Sequence, residues 1–363
     1  MADFDQQKNF DQNKKTYNEF WKWFSDHAQD FYEVIKSGQN VEENFINIFA
    51  PELDKIESQV FFLVGMEEDK KAELIFTPDG RIQNVFWAEK LVAEAPEIDN
   101  WKFRALKPAS QNIDFAIKMH DLTFDRENIQ FYPIIHENYP DKIDLMFVYN
   151  AYHEESHDDI LNGIFIFLDN FLGEETMIQS IDKINVKGPQ NVIEELIPLE
   201  KLKDYIIWRE KEFVEKYQDV RHDPSNDEFT GFEGTVEGNK PILSTFNTSI
   251  LNWEYKASHP WILVIMIHYT PEGEAGFPDA ETYKVITAFE DDLEITLPSL
   301  SGYIFLGSET VDGLRETFIA CREFRLATEA IHNLQVKYKD KLDMNYEFYK
   351  DKYWQSFERY NMD

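Results

Sequence analysis

Cysteine, basic charge and long apolar runs are what this chain of 363 residues has least of, and each scarcity removes a class of function. One cysteine, Cys321, allows neither an internal disulfide nor a dithiol redox pair. Lys and Arg number 36 against 69 Asp and Glu, a formal charge of −33. With no basic excess to displace phosphate counterions, the chain is not expected to bind nucleic acid. An anionic membrane surface is disfavoured for the same reason. No apolar run approaches the roughly 20 residues of a bilayer-spanning helix. The opening Met1-Ala-Asp-Phe-Asp-Gln-Gln-Lys8 lacks a basic n-region and an apolar h-region, so the cytoplasm is the expected location. No P-loop, G-x-G-x-x-G or G-x-S-x-G motif occurs.

What the chain does have is apolar and aromatic mass. Hydrophobic residues make up 43%, with 30 Phe, 17 Tyr and 8 Trp, enough for packed cores. Residues 1–13 are polar and expected to fray. From Lys14 to Lys36 the positions Tyr17, Phe20, Trp21, Phe24, Phe31 and Ile35 repeat at helical spacing, with Gly38 where a C-terminal cap belongs. Phe45–Phe49, Val60–Val64 and Ala72–Phe76 read as short extended runs, the last closing in the turn Thr77-Pro-Asp-Gly80. A helix about Val85–Ala95 and strands at 101–106, 129–135 and 143–149 follow. Helices are expected at 158–172 and 199–217, with a strand at 181–186 between them.

Asp219–Asp227 is polar, contains proline and has no periodicity, which makes it the expected linker between domains at 1–218 and 228–363. Beyond it, Gly238-Asn239 signals a hairpin. Trp261-Ile-Leu-Val-Ile-Met-Ile267 is the signature of a strand buried on both faces. Helices are expected from Ala280 and over Glu323–Tyr338, with a tail from Asn345 that is aromatic and mixed in charge. In each half a buried strand leads through a loop to an amphipathic helix and another strand, a weak internal echo.

Trp253-x-Tyr255, the strand ending His268-Tyr269, the helix carrying Phe289-Glu-Asp-Asp-Leu293, and Gly307-x-x-Thr310-x-x-Gly313-x-Arg315-Glu316, in that order, resemble domain-of-unknown-function family 695 over about Glu228–Tyr360. The N-terminal half looks like a companion region of uncharacterised bacterial proteins. This rests on Glu73-Leu-Ile-Phe-Thr-Pro-Asp-Gly80, Leu91-Val-Ala-Glu-Ala-Pro96 with Trp101, and Leu168-Asp-Asn-Phe-Leu-Gly-Glu174. The resemblance implies an α+β sandwich in each half, a mixed or antiparallel sheet covered by helices, with ferredoxin-like units among the options. It implies no activity.

Two places invite chemistry. His153-Glu154-Glu155-Ser156-His157 satisfies H-E-x-x-H; on a helix both histidines would share a face and reach zinc, Glu154 would polarise the bound water, and Glu174 or Glu175 would supply a third ligand. Against it, Glu155 and Asp158 put charge where zinc-protease helices carry none, and the stretch falls between a strand and a helix start, so a solvated loop is expected. The second place is the turn at Gly307–Arg315, where Thr310, Gly313 and Arg315 would present backbone N–H groups and a guanidinium to an anion. Arg315 paired with the Glu290 helix is the structural reading, and the preferred one. Glu290, Asp291, Asp292 and Glu294 read as a solvated helix face, and Cys321 as an inert buried thiol.

The expectation is therefore a two-domain α+β protein without cofactor or metal, acting as a non-enzymatic binding module. Its acidic surface would suit a basic protein partner. A zinc hydrolase built on His153 and His157 is the alternative, and the sequence leaves the oligomeric state open.

Overall fold

The aromatic stripe of the first expected helix is the buried face of α1 (Ala2–Ser37), which begins well ahead of Lys14 and ends at Gly38 with φ 65°. The computed structural model describes all residues except 1, 57–59, 68–69, 191, 274 and 362–363, with backbone only at 2–16 and 237. Phe45–Phe49 is helical rather than extended: a π-turn over Glu42–Ile46 runs into α2 (Asn47–Leu53). The pattern Phe-Ile-Asn-Ile-Phe satisfies a strand's period of two and a helix's i, i+4 pairing equally. Packing decides, because Phe45 and Phe49 stack 5.1 Å apart and meet Phe31, Phe20 and Phe24 of α1. β1 (Phe61–Met66) pairs antiparallel with β2 (Ala72–Thr77), and α3 (Ile82–Ala93) carries the chain back so that β3 (Trp101–Ala105) lies parallel to β2.

A second unit follows. A small hairpin, β4 (Ile117–Met119) and β5 (Leu122–Phe124), precedes β6 (Ile129–Ile134) and β7 (Asp144–Tyr149). Helices α4 (His157–Leu172) and α5 (Glu174–Ser180) then return the chain to β8 (Lys183–Lys187), parallel to β7. With β9 (Ile197–Pro198) the strand order is β8-β7-β6-β9, and α6 (Leu202–Tyr217) ends the unit. Residues 1–218 thus hold separate sheets with separate cores, one around Phe24, Phe49 and Trp101, the other around Phe131, Phe147 and Phe167.

The third unit is one antiparallel sheet. β10 (Phe229–Val236) and β11 (Lys240–Asn247) form the expected hairpin, with positive φ at Gly238 and Asn239. β12 (Trp261–His268), α7 (Ala280–Thr296), β13 (Tyr303–Val311), β14 (Leu314–Cys321), α8 (Arg325–Tyr338) and β15 (Asp343–Lys350) complete it, in the order β10-β11-β13-β14-β12-β15. The stretch from Asn345, expected as tail, belongs to β15, whose alternating Met344 and Phe348 enter the core under α7 and α8. The apolar run of β12 is explained by cover on both faces: Trp261, Leu263, Ile265 and Ile267 meet Phe289 and Ile331, while Ile262 and Val264 meet Trp354 and Phe357. Each unit contains a strand–helix–strand crossover between strands of one direction, with β14 inserted between β12 and β13 in the third. The architecture is α+β, with mixed sheets in the first two units and an antiparallel one in the third.

Candidate functional site

The β13–β14 register sets Thr310 opposite Arg315, with Asp312-Gly313 as the turn at φ 41° and 87°. Gly313 is needed there for a second reason: a Cβ would sit 3.0 Å from the Tyr269 carbonyl oxygen. Its N–H donates to the Gly276 carbonyl at 3.0 Å, and its own carbonyl accepts from Tyr269 at 2.9 Å. Arg315 donates from Nε and Nη2 to the two carboxylate oxygens of Glu290 at 2.8 and 3.1 Å. Its other bonds go to the hydroxyls of Thr310 at 2.8 Å and Ser308 at 3.0 Å. Thr317 adds a hydroxyl to Glu290 at 3.0 Å. The structure therefore brings Thr310 and Arg315 together, but with the fork directed at α7. Glu290 and Asp292 consequently leave the solvated face expected for them: Asp292 accepts from Lys337 and Tyr338, whereas Asp291 and Glu294 stay exposed.

The H-E-x-x-H stretch is divided by a helix start. His153 is extended at φ −134°, ψ 139°, Glu154–Ser156 form a 3-10 turn, and His157 is the first residue of α4. The i, i+4 face that would bring both imidazoles to one ion is not formed. His157 Nδ1 lies 2.9 Å from the Tyr152 hydroxyl, which also donates to Glu154. Among the described residues, no three His, Cys, Asp or Glu side chains gather as a metal site would require. Cys321 is wholly enclosed at the end of β14, where burial pushes its thiol well up and away from the thiolate.

No motif in the sequence marks the joint between α6 and the third sheet. A cleft of about 940 Å³ lies there, inside the range of ligand pockets. Ile207 and Val214 of α6 form one apolar wall, each more than half exposed, and Pro260, Trp261 and Phe324 form the other. Its floor carries cations in a chain that has few. Lys350 donates to the carbonyls of Gln179 and Ile181 and pairs with Asp182 at 3.2 Å. Lys352 meets the same carboxylate at 2.7 Å, and Ile143 N–H meets it at 2.7 Å. Burial, with Lys352 adding repulsion against the pull of Asp182, brings the Lys350 ammonium down to about 8. Burial alone would raise Asp182, but the two ammoniums and the amide outweigh it and hold the carboxyl low. Arg322 donates to the carbonyls of Tyr217, Gln218 and Val220, capping the negative end of α6. Arg325 forks onto Glu89 of α3 at 2.7 Å and reaches Glu175 of α5 at 3.2 Å, so one side chain touches all three units. No sequence signal could have found this group, because its members are ordinary charges scattered through the chain.

A second cavity, about 900 Å³, lies between β1, α3 and α8 and includes Asn84, Trp87, His332 and Tyr346. Beside the first cleft, His259 is fully buried, with Nδ1 2.8 Å from the Ser258 hydroxyl and Nε2 without a hydrogen-bond partner among the described residues. Burial, reinforced by Arg322, His222 and Arg221, drives its imidazolium down to about 3.

Comparison with known proteins places the third unit. Residues 231–360 match the model of a family of unknown function (DUF695), within the span that the sequence motifs indicated. No curated protein matches the chain, and no solved structure does.

Proposed function

We propose that this chain, whose C-terminal part matches the DUF695 family, is a non-enzymatic binding protein that holds a basic protein partner by its acidic surface. The supporting observation is where the charges go. Several of the scarce cations are turned inward as fasteners: Lys90 to Glu329, Arg315 to Glu290, Arg325 to Glu89, Lys350 and Lys352 to Asp182. Other carboxylates face solvent, among them Glu281, Asp291 and Glu294 on α7, and Glu228 and Glu233 on the β10 hairpin. On this reading the excess of acid in the chain's −33 is displayed outward, and such a field raises the encounter rate with a positively charged partner.

The test is capture of a basic protein on the immobilised chain, read against a control protein of matched negative charge. A specific partner binds the chain and not the control. It is released as ionic strength rises and the screening length shrinks from about 10 Å at 0.1 M to about 3 Å at 1 M. Capture that survives high salt, or that the control reproduces, removes the electrostatic reading.

A further inference from the structure

The two edges of the third sheet are treated differently. β15 is covered: α3 packs along it, and Lys350 at its end is enclosed by the second unit. β10 has β11 as its strand partner on one side and lies outermost in the sheet on the other. Six of its eight residues are exposed, Phe229 and Val236 among them. Among the described residues no strand pairs with that outer edge, and an edge of this length offers backbone N–H and C=O groups as a template for strand addition.

Its chemistry selects the occupant. Residues 223–239 contain five carboxylates and no Lys or Arg. Lys240, the first base beyond them, is paired with Asp312 at 3.1 Å. Glu228 and Glu233 stand exposed on opposite faces of the hairpin strand. A second copy of β10 added here would bring like charges together across the new pair, which destabilises it, whereas Lys or Arg would be favoured. Gly231 leaves open space where a side chain would stand, with no heavy atom within 4 Å of a built Cβ, so an incoming side chain has room. We infer that the free edge of β10 docks an extended basic segment of the partner, which joins the sheet as a seventh strand. This rests on the acidic-surface reading and gives it an address.

The probe is a blocked eight-residue peptide alternating Lys and Thr, with a second version N-methylated at alternate residues. Methylation keeps every charge but removes the strand-forming donors. The plain peptide is expected to bind the full chain at least tenfold more tightly than the methylated one, and to protect backbone amides within 229–236 from exchange. The double variant Glu228→Lys/Glu233→Lys should weaken binding at least tenfold, while Asp291→Lys/Glu294→Lys on α7, with the same change of charge, should alter it less than twofold. Circular dichroism and the urea midpoint check that both variants fold. Equal binding of the two peptides, or equal effects of the two variants, overturns strand addition at β10 and leaves the acidic surface standing. Failure of both peptides to bind overturns both readings. A dimer in sedimentation that the Glu228→Lys/Glu233→Lys change dissociates overturns the basic occupant in favour of a second copy.

Discussion

His259 has no exposed surface, and one ring nitrogen lacks a partner, so its environment tolerates only the neutral imidazole. The unfolded chain takes up this proton near pH 6.5, the folded chain only near about 3. Stability contributed above 6.5 is lost as pH falls through that window, about 2 kcal/mol of it by pH 5. Asp169 has the opposite sign. Burial, with Glu174 and Asp79 adding to it and Lys107 opposing, raises its carboxyl to about 6. The folded state bears that buried charge above pH 6 and is relieved of it as pH falls toward 3.8. Urea midpoints should show that His259→Gln flattens the loss between pH 6.5 and 5, while Asp169→Asn stabilises at pH 7 by about 2 kcal/mol. Neither behaviour was legible in sequence. His259 reads there as one of nine histidines, and its burial comes from packing against Trp253 and the Ser258 turn.

Elements were more legible than residues wherever a period ran long. α1, α4 and α7 each carry several turns of apolar repeat, and a sheet face or helix stripe of that length has one burial solution. Short segments misled for physical reasons: Phe45–Phe49 fits two periods, and β15 continues into an aromatic stretch of mixed charge in which its short alternation is lost. At the β13–β14 hairpin, residue types and the direction of Arg315 were both legible, because a lone guanidinium beside an acidic helix has a ready partner. Of the two readings of Thr310, Gly313 and Arg315, an anion cradle or a fastener to the Glu290 helix, the preferred fastener is the one the guanidinium makes. That fork can be measured. Arg315→Lys keeps the charge but cannot span both Glu290 oxygens and two hydroxyls, so it should cost about 1–2 kcal/mol. Glu290→Gln should cost a similar amount. The double variant Arg315→Lys/Glu290→Gln should lose less than the sum, as contacting partners do.

At the scale of the whole molecule, the first unit packs into the core under α7 and α8 through Val85 and Leu106, and a polar joint between the second and third units runs through Asp182. Its carboxylate, fewer than a tenth of its surface exposed, faces two ammoniums that are themselves enclosed, one at the end of β15 and one just beyond it. Charges this deep are costly to bring out of water, and their mutual attraction offsets the cost only while every partner is present. Asp182→Asn strands both lysines and should destabilise the chain by about 3–5 kcal/mol, read as a drop in urea midpoint. If that loss came from a missing contact alone, removing Lys350 as well would deepen it. If it comes from uncompensated charge, Asp182→Asn/Lys350→Met should recover part of the loss, since one buried ammonium is gone and burial already depresses that amine to about 8. Recovery in the double variant would identify charge compensation as what holds the second and third units together, and no recovery would assign that task to packing.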